Sequence, residues 1–155
     1  MQDMPDIYNF RRLDQRIATS GQPTEAQLRA LAAGGCRAVI NLHTNDPRWA
    51  LPIEAALLDD LGLAYHHVPV VFDAPKPEDF EAFAERLDLL ADTPVLVHCV
   101  ANYRVSCFMA LYGERRLGWS RGRADAWIAD VWAPDPVWTT YLRRMRLAEA
   151  GGKSS

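Results

Sequence analysis

The chain has 155 residues, a length that fits one compact domain with a single core. With 49% hydrophobic, 24% charged and 10% aromatic residues, it is neither a disordered chain, a collagen-like fibre nor a low-complexity scaffold. A net charge of −3 gives no broad basic surface for nucleic acid or anionic lipid. Asp3 and Asp6 stand where a secretory signal would be basic and then apolar. No apolar run approaches the ~18–20 residues that cross a bilayer, so neither a membrane nor a nucleic acid is an expected partner. Three cysteines are an odd count for a disulfide framework and fit a reducing, cytoplasmic compartment.

No repeat and no flexible linker divides the sequence, which places one domain over residues 1–150 and a disordered tail at 151–155. Tyr8–Ala18 alternates as one or two short strands do, and Ser20-Gly21-Gln22-Pro23 makes a turn. Thr24 followed by Gln27 is a capping box, Leu28 and Leu31 share a helical face, and Gly34-Gly35 is a stop; these predict a helix over Thr24–Ala33. A buried strand follows at Cys36–Leu42, a helix at Pro52–Leu61 and a strand at Ala64–Val71. Phe80, Phe83, Leu87 and Leu90 define one face of a helix over Pro77–Leu90, after which Val95-Leu96-Val97 reads as a fully buried strand. Three helices close the chain, at Val105–Leu117, Ser120–Trp132 and Asp135–Ala148. Alternating strands and helices with a helical last third predict an α/β sandwich, its mostly parallel central sheet covered by helices on both faces.

Ligands of such folds sit beyond the carboxyl ends of the central strands, which singles out VLVHCVANYRVS. His98-Cys99 ends the strand there, residues 100–104 form a loop, and a helix follows. A cysteine so placed meets successive N–H groups and the positive end of a helix dipole. Both favour the thiolate, and such settings bring free thiols from ~8.5 to about 3.5–7.5. The same N–H groups of Val100, Ala101, Asn102, Tyr103 and Arg104, with the Arg104 guanidinium, make a cradle for a tetrahedral oxyanion.

This pattern resembles the cysteine-dependent protein phosphatases of tyrosine and dual-specificity type, whose signature is His-Cys, five residues, Arg, then Ser or Thr. The early Ser-Gly-Gln-Pro turn and the Ala-Asn-Tyr-Arg-Val-Ser loop are similar to those of a bacterial phosphatase-like group. The resemblance implies a phosphate-monoester hydrolase working on a phosphorylated protein or small molecule through a cysteinyl phosphate, without metal or cofactor. It makes Cys99 the nucleophile, Arg104 the phosphate-binding group, Ser106 the hydroxyl that steadies the departing thiolate, and His98 a residue behind Cys99 that tunes it. It also calls for an aspartate acid on a loop before the cysteine strand, which points to Asp73 in VVFDAPKPEDF; by its residues alone Asp73 is equally a turn residue or cap. Asp79, Asp130 and Asp135 fit helix ends or fall after the cysteine.

Two departures stand out. Only four residues separate Cys99 from Arg104, and Ala101-Asn102 replaces the usual glycine, with Asn102 able to take positive φ. Either the loop has full length with Arg104 one place early, or it is tighter and Val105 already belongs to the helix. A rhodanese-like sulfurtransferase, which has a shorter loop, a non-catalytic phosphate-binding module, and a redox sensor using Cys107 are the alternatives. His43 and His66-His67 show no metal-ligand spacing. The tryptophans of the last third are expected to pack helices on the sheet.

Overall fold

The computed structural model describes residues 1–153. Five strands, β1 (Arg11–Arg12), β2 (Ile17–Ser20), β3 (Ala38–Asn41), β4 (Ala64–His67) and β5 (Val95–His98), form one sheet in the order β1-β2-β5-β3-β4. β1 runs antiparallel to β2, and all other pairs are parallel. β5 is the middle strand, with Ile17 and Ala38 both opposite Val95. The helices are α1 (Glu25–Ala33), α2 (Glu54–Asp60), α3 (Pro77–Leu89), α4 (Tyr103–Arg116), α5 (Arg121–Val131) and α6 (Pro136–Lys153). Residues 154–155 of the expected tail lie outside the described residues. Among the described residues no helix is long and apolar enough to cross a membrane.

Local chemistry sets most boundaries. Thr24 accepts from the Gln27 N–H at 3.1 Å while Gln27 accepts from the Thr24 N–H at 2.9 Å, the reciprocal pair that the spacing predicts. Ser120 accepts from the Arg123 N–H and Asp135 from the Trp138 N–H, capping α5 and α6. β4 stops four residues short of the expected Val71. Pro69 has no N–H for the ladder, and beyond it only the Val70 N–H to Leu42 carbonyl bond remains before the chain peels away from the sheet.

Alternation along the strands divides the core. Leu28 and Leu31 of α1, with Leu57 and Leu58 of α2, pack on Val39 and Leu96. On the other face Phe80 and Phe83 of α3, Phe108 of α4, Ile128 of α5 and Trp138 of α6 pack on Ile40, Val95 and Val97. α4 is buried from Arg104 to Gly113 and forms the centre of that second layer. The tryptophans pack there as expected: Trp138 is fully buried, and Trp132 and Trp127 are partly buried against the same cluster.

Candidate active site

Because β5 alternates, Val97 and then Cys99 face the α3–α6 layer, while Leu96 belongs to the α1–α2 layer and His98 meets α2. Past His98 the chain turns sharply through Asn102, which sits at φ 70° and ψ 3°, and α4 begins at Tyr103. This is the left-handed region that asparagine tolerates better than other non-glycine residues, so Asn102 fills the place that glycine would. Its Nδ2 donates to the Asn9 carbonyl (2.9 Å) and to Thr19 Oγ1 (3.1 Å), and Asn9 Nδ2 donates back to the Ala101 carbonyl (3.0 Å). The Asn102 side chain therefore braces the loop from beneath, and only its backbone remains for the expected anion cradle. Val105 lies inside α4 and Arg104 in its first turn, so of the two loop layouts the tighter one is present.

The Ser20-Gly21-Gln22-Pro23 turn backs this loop. The Gln22 N–H donates to the Val100 carbonyl at 2.9 Å. A Cβ on Gly21 would sit 2.5 Å from that carbonyl oxygen and 2.8 Å from Tyr8 Cδ1, so only glycine fits.

A cleft of 590 Å³ opens where β3 and β5 end. Cys99, Val100, Ala101, Tyr103, Arg104 and Asp73 all line it, which brings the predicted nucleophile, cradle and acid loop to one place. Arg104 is 6% exposed; Nη1 donates to the Val70 carbonyl at 2.8 Å, the guanidinium carbon lies 5.6 Å from the Phe72 ring centre, and Nε has no partner among the described residues. With the unpaired N–H groups that any first helical turn presents, this makes a positive, donor-rich floor.

Asp73 is exposed on the loop between β4 and α3. Side chains of α4 and α6 hold that loop: Trp138 Nε1 donates to the Phe72 carbonyl at 2.9 Å, the Tyr141 hydroxyl to the Lys76 carbonyl at 2.7 Å, and Arg104 reaches Val70 as above. The other aspartates are occupied, with Asp79 capping α3, Asp135 capping α6 and Asp130 paired with Arg11 at 2.6 Å.

Ser106 lies in the first turn of α4. It is fully buried and outside the cleft lining; its hydroxyl donates to the Tyr103 carbonyl at 2.7 Å and accepts from Trp132 Nε1 at 2.9 Å. A serine early in a helix readily bonds the carbonyl three residues back, and that bond engages the hydroxyl proton. Trp132 also stacks on Tyr103 with centroids 4.4 Å apart. Cys107 is a core thiol, pushed up to about 12 by burial.

His98 is completely buried behind Cys99, as expected. Its Nε2 lies 2.7 Å from Glu54 Oε2 and its Nδ1 lies 3.2 Å from the Cys99 carbonyl oxygen. Glu54, 3% exposed, also accepts from Gln22 Nε2 at 2.7 Å. Burial pushes its carboxyl up, but the bonds from His98 and Gln22 outweigh this and hold it below the usual carboxylate range. Sequence reasoning did not find Glu54, since nothing local marks a glutamate on a short amphipathic helix as buried.

It also missed His43, Asp46 and Trp49, which line the cleft from the segment after β3. Burial and the nearby Arg104 charge lower His43 to about 4, so it is neutral near pH 7. The rule that points to the end of β5 covers the end of β3 as well, once the two are known to be neighbours.

Residues 6–120 match the family described as DSP-PTPase phosphatase fused to NAD+ kinase. The chain belongs to this family. The DSP-PTPase domain has the fold of a DUF442 protein from Shewanella putrefaciens CN-32, with 33% identity, a TM-score of 0.80, and 90% of this chain and 89% of that one covered. It is also similar to Pseudomonas aeruginosa TpbA crystallised with phosphotyrosine, at 21% identity and a TM-score of 0.74, covering 97% and 94% of the two chains; that likeness speaks for the fold. A beta-lactamase hydrolase-like protein of Xylella fastidiosa is 33% identical over 102 residues, which is 64% of this chain and 23% of that protein. The DSP-PTPase domain thus spans about a quarter of the length of that curated relative.

Proposed function

We propose that this domain hydrolyses phosphate monoesters through a cysteinyl-phosphate intermediate. The reading is carried by one observation: Cys99, the buried Arg104 in the first turn of α4, and Asp73 share a single cleft in a chain of the DSP-PTPase family. Cys99 Sγ attacks phosphorus while Arg104 and the N–H groups of the turn hold the non-bridging oxygens. Asp73 gives its proton to the departing oxygen. Water then attacks the phosphocysteine, releasing inorganic phosphate and the thiolate. The half-exposed Trp49 and Val71 at the mouth, with Phe72 and Tyr103 inside, favour aryl phosphates, phosphotyrosine among them.

The test measures release of phosphate from a generic aryl phosphate and of thiocyanate from thiosulfate plus cyanide in one preparation. Phosphate release that disappears in Cys99→Ser, with folding intact, is the expected result. Thiocyanate formation without phosphate release would assign the cleft to sulfur transfer, and anion binding without either turnover would make it a phosphate-binding module.

A further inference from the structure

His98 is placed between two acceptors. One ring nitrogen faces the Glu54 carboxylate at 2.7 Å and the other faces the Cys99 carbonyl oxygen at 3.2 Å. A neutral imidazole has one N–H and one lone pair, so it satisfies only one of these oxygens; the imidazolium, with two N–H groups, satisfies both. Glu54 is itself enclosed, 3% exposed, and its second oxygen is held by Gln22, so the carboxylate is fixed in the orientation that faces the ring. The pair joins α2 to the end of β5, where the cysteine loop begins.

We infer that Glu54 is a positioning residue for the reaction: its carboxylate keeps His98 doubly protonated, and the charge so retained, one residue from Cys99, sets the pH at which the thiol becomes nucleophilic. This rests on the reading of Cys99 as nucleophile, and it adds a residue from α2 that touches neither substrate nor thiol. The charge is conveyed through the Cys99 peptide, whose carbonyl is polarised by the His98 Nδ1–H. The fixed charges around the pair favour the arrangement. Gln22 from the β2–α1 turn donates to Glu54, and His67 on β4 adds attraction for the carboxylate. Tyr65 on β4, bonded to Asn41, stays neutral because burial raises it. On the cleft side the groups near Cys99 are Arg104 on α4, a neutral His43 and the Asp46–Arg48 ion pair after β3, Cys107 on α4 and Asp73 on its loop. Arg104 and Arg48 are the cations there, Arg48 paired with Asp46, so removing the charge of His98 takes away one of the positive groups near the thiolate.

The experiment follows the rate of iodoacetamide alkylation of Cys99 against pH, located by mass spectrometry, in the wild type, Glu54→Gln and Glu54→Asp. Cys36 and Cys107 are buried and raised above the ordinary thiol range, so alkylation below neutral pH reports on Cys99. Glutamine keeps the shape and a hydrogen bond to a neutral His98. Its alkylation profile, and the acidic limb of kcat/KM for an aryl phosphate, are expected to move up by about one pH unit, a ~10-fold loss of rate below the limb. KM for the aryl phosphate should be little changed. Glu54→Asp, which restores the charge, should return the limb towards the wild-type position. Unmoved profiles in Glu54→Gln, or equal shifts in both variants, overturn the inference. Because alkylation needs no turnover, an inactive protein with a shifted profile upholds Glu54 and counts against the hydrolase reading alone. Should Glu54→Gln not fold, the wild type still decides: nitrogen-15 spectra of His98 at pH 7 must show two protonated ring nitrogens, and a single one refutes the role.

Discussion

Replacing Asn102 separates the two things this residue does. Asn102→Ala removes the bonds to the Asn9 carbonyl and Thr19 Oγ1, each worth about 0.5–1.5 kcal/mol net. It also leaves an alanine at φ 70°, which costs about 1–2 kcal/mol for a residue with a Cβ and no local hydrogen bond. The sum is about 2–5 kcal/mol. Asn102→Gly loses the same bonds without the conformational cost, but gains freedom in the unfolded chain worth about 0.4–1 kcal/mol. Glycine should therefore be the milder change by about 0.5–1 kcal/mol. Urea unfolding followed by tryptophan fluorescence reads the difference directly, since a slope of ~2 kcal/mol per molar turns the alanine penalty into a midpoint lowered by about 1–2.5 M. The same loop holds the proposed anion cradle, and a displacement of ~1 Å there should cost about 10²-fold in kcat/KM. An alanine variant within 0.5 kcal/mol of wild type, or a glycine variant less stable than alanine, would refute the account of this turn.

Three further outcomes are expected. Gly21→Ala places a methyl 2.5 Å from the Val100 carbonyl oxygen; it should destabilise by about 1–3 kcal/mol and weaken phosphate binding, and unchanged phosphate inhibition would show that the turn can move. His43 is held below its ordinary 6.5, at about 4, so the unfolded chain takes up this proton before the folded one does. That contribution is complete above pH 6.5 and is lost as pH falls towards 4. It amounts to about 3 kcal/mol at full weight and about 1–2 kcal/mol once solvent in the cleft screens it. His43→Gln should flatten the acid side of stability against pH, and an identical slope in the variant would be the contrary result. Asp73→Asn should slow hydrolysis of an alkyl or unactivated phenyl phosphate by about 10²–10⁴-fold, spare p-nitrophenyl phosphate more, and remove the alkaline limb. Equal losses with both leaving groups would make Asp73 a turn residue.

Features fixed by near neighbours were legible in the sequence. The Thr24–Gln27 capping box, the Pro136 start of α6 and the positive φ of Asn102 each depend on a few consecutive residues. The cysteine loop was legible for the same reason, because strand, turn and helix follow one another without a gap. What depended on strand order was not. His43 reaches the cleft because β3 lies beside β5, and Glu54 reaches His98 because α2 crosses the face to which even positions of β5 point. Ser106 shows a different limit: its spacing from Cys99 is correct, yet Trp132, from the far end of α5, and the Tyr103 carbonyl take its hydroxyl. The early end of β4 is local in origin, since Pro69 lacks the N–H that the ladder needs.

The central place of β5 has a consequence for how the protein comes into being. The pairing of Ile17 with Val95 spans half the chain, and β3 and β4 form their own pair without β5. Until β5 emerges during synthesis, β2 and β3 each hold an open hydrogen-bonding edge, the sort of edge that invites contact with other chains. Inserting one strand closes both edges, and the same event delivers Cys99 to the Gly21 turn. Closure of the sheet and assembly of the cleft thus depend on one and the same strand, so neither is complete before the other.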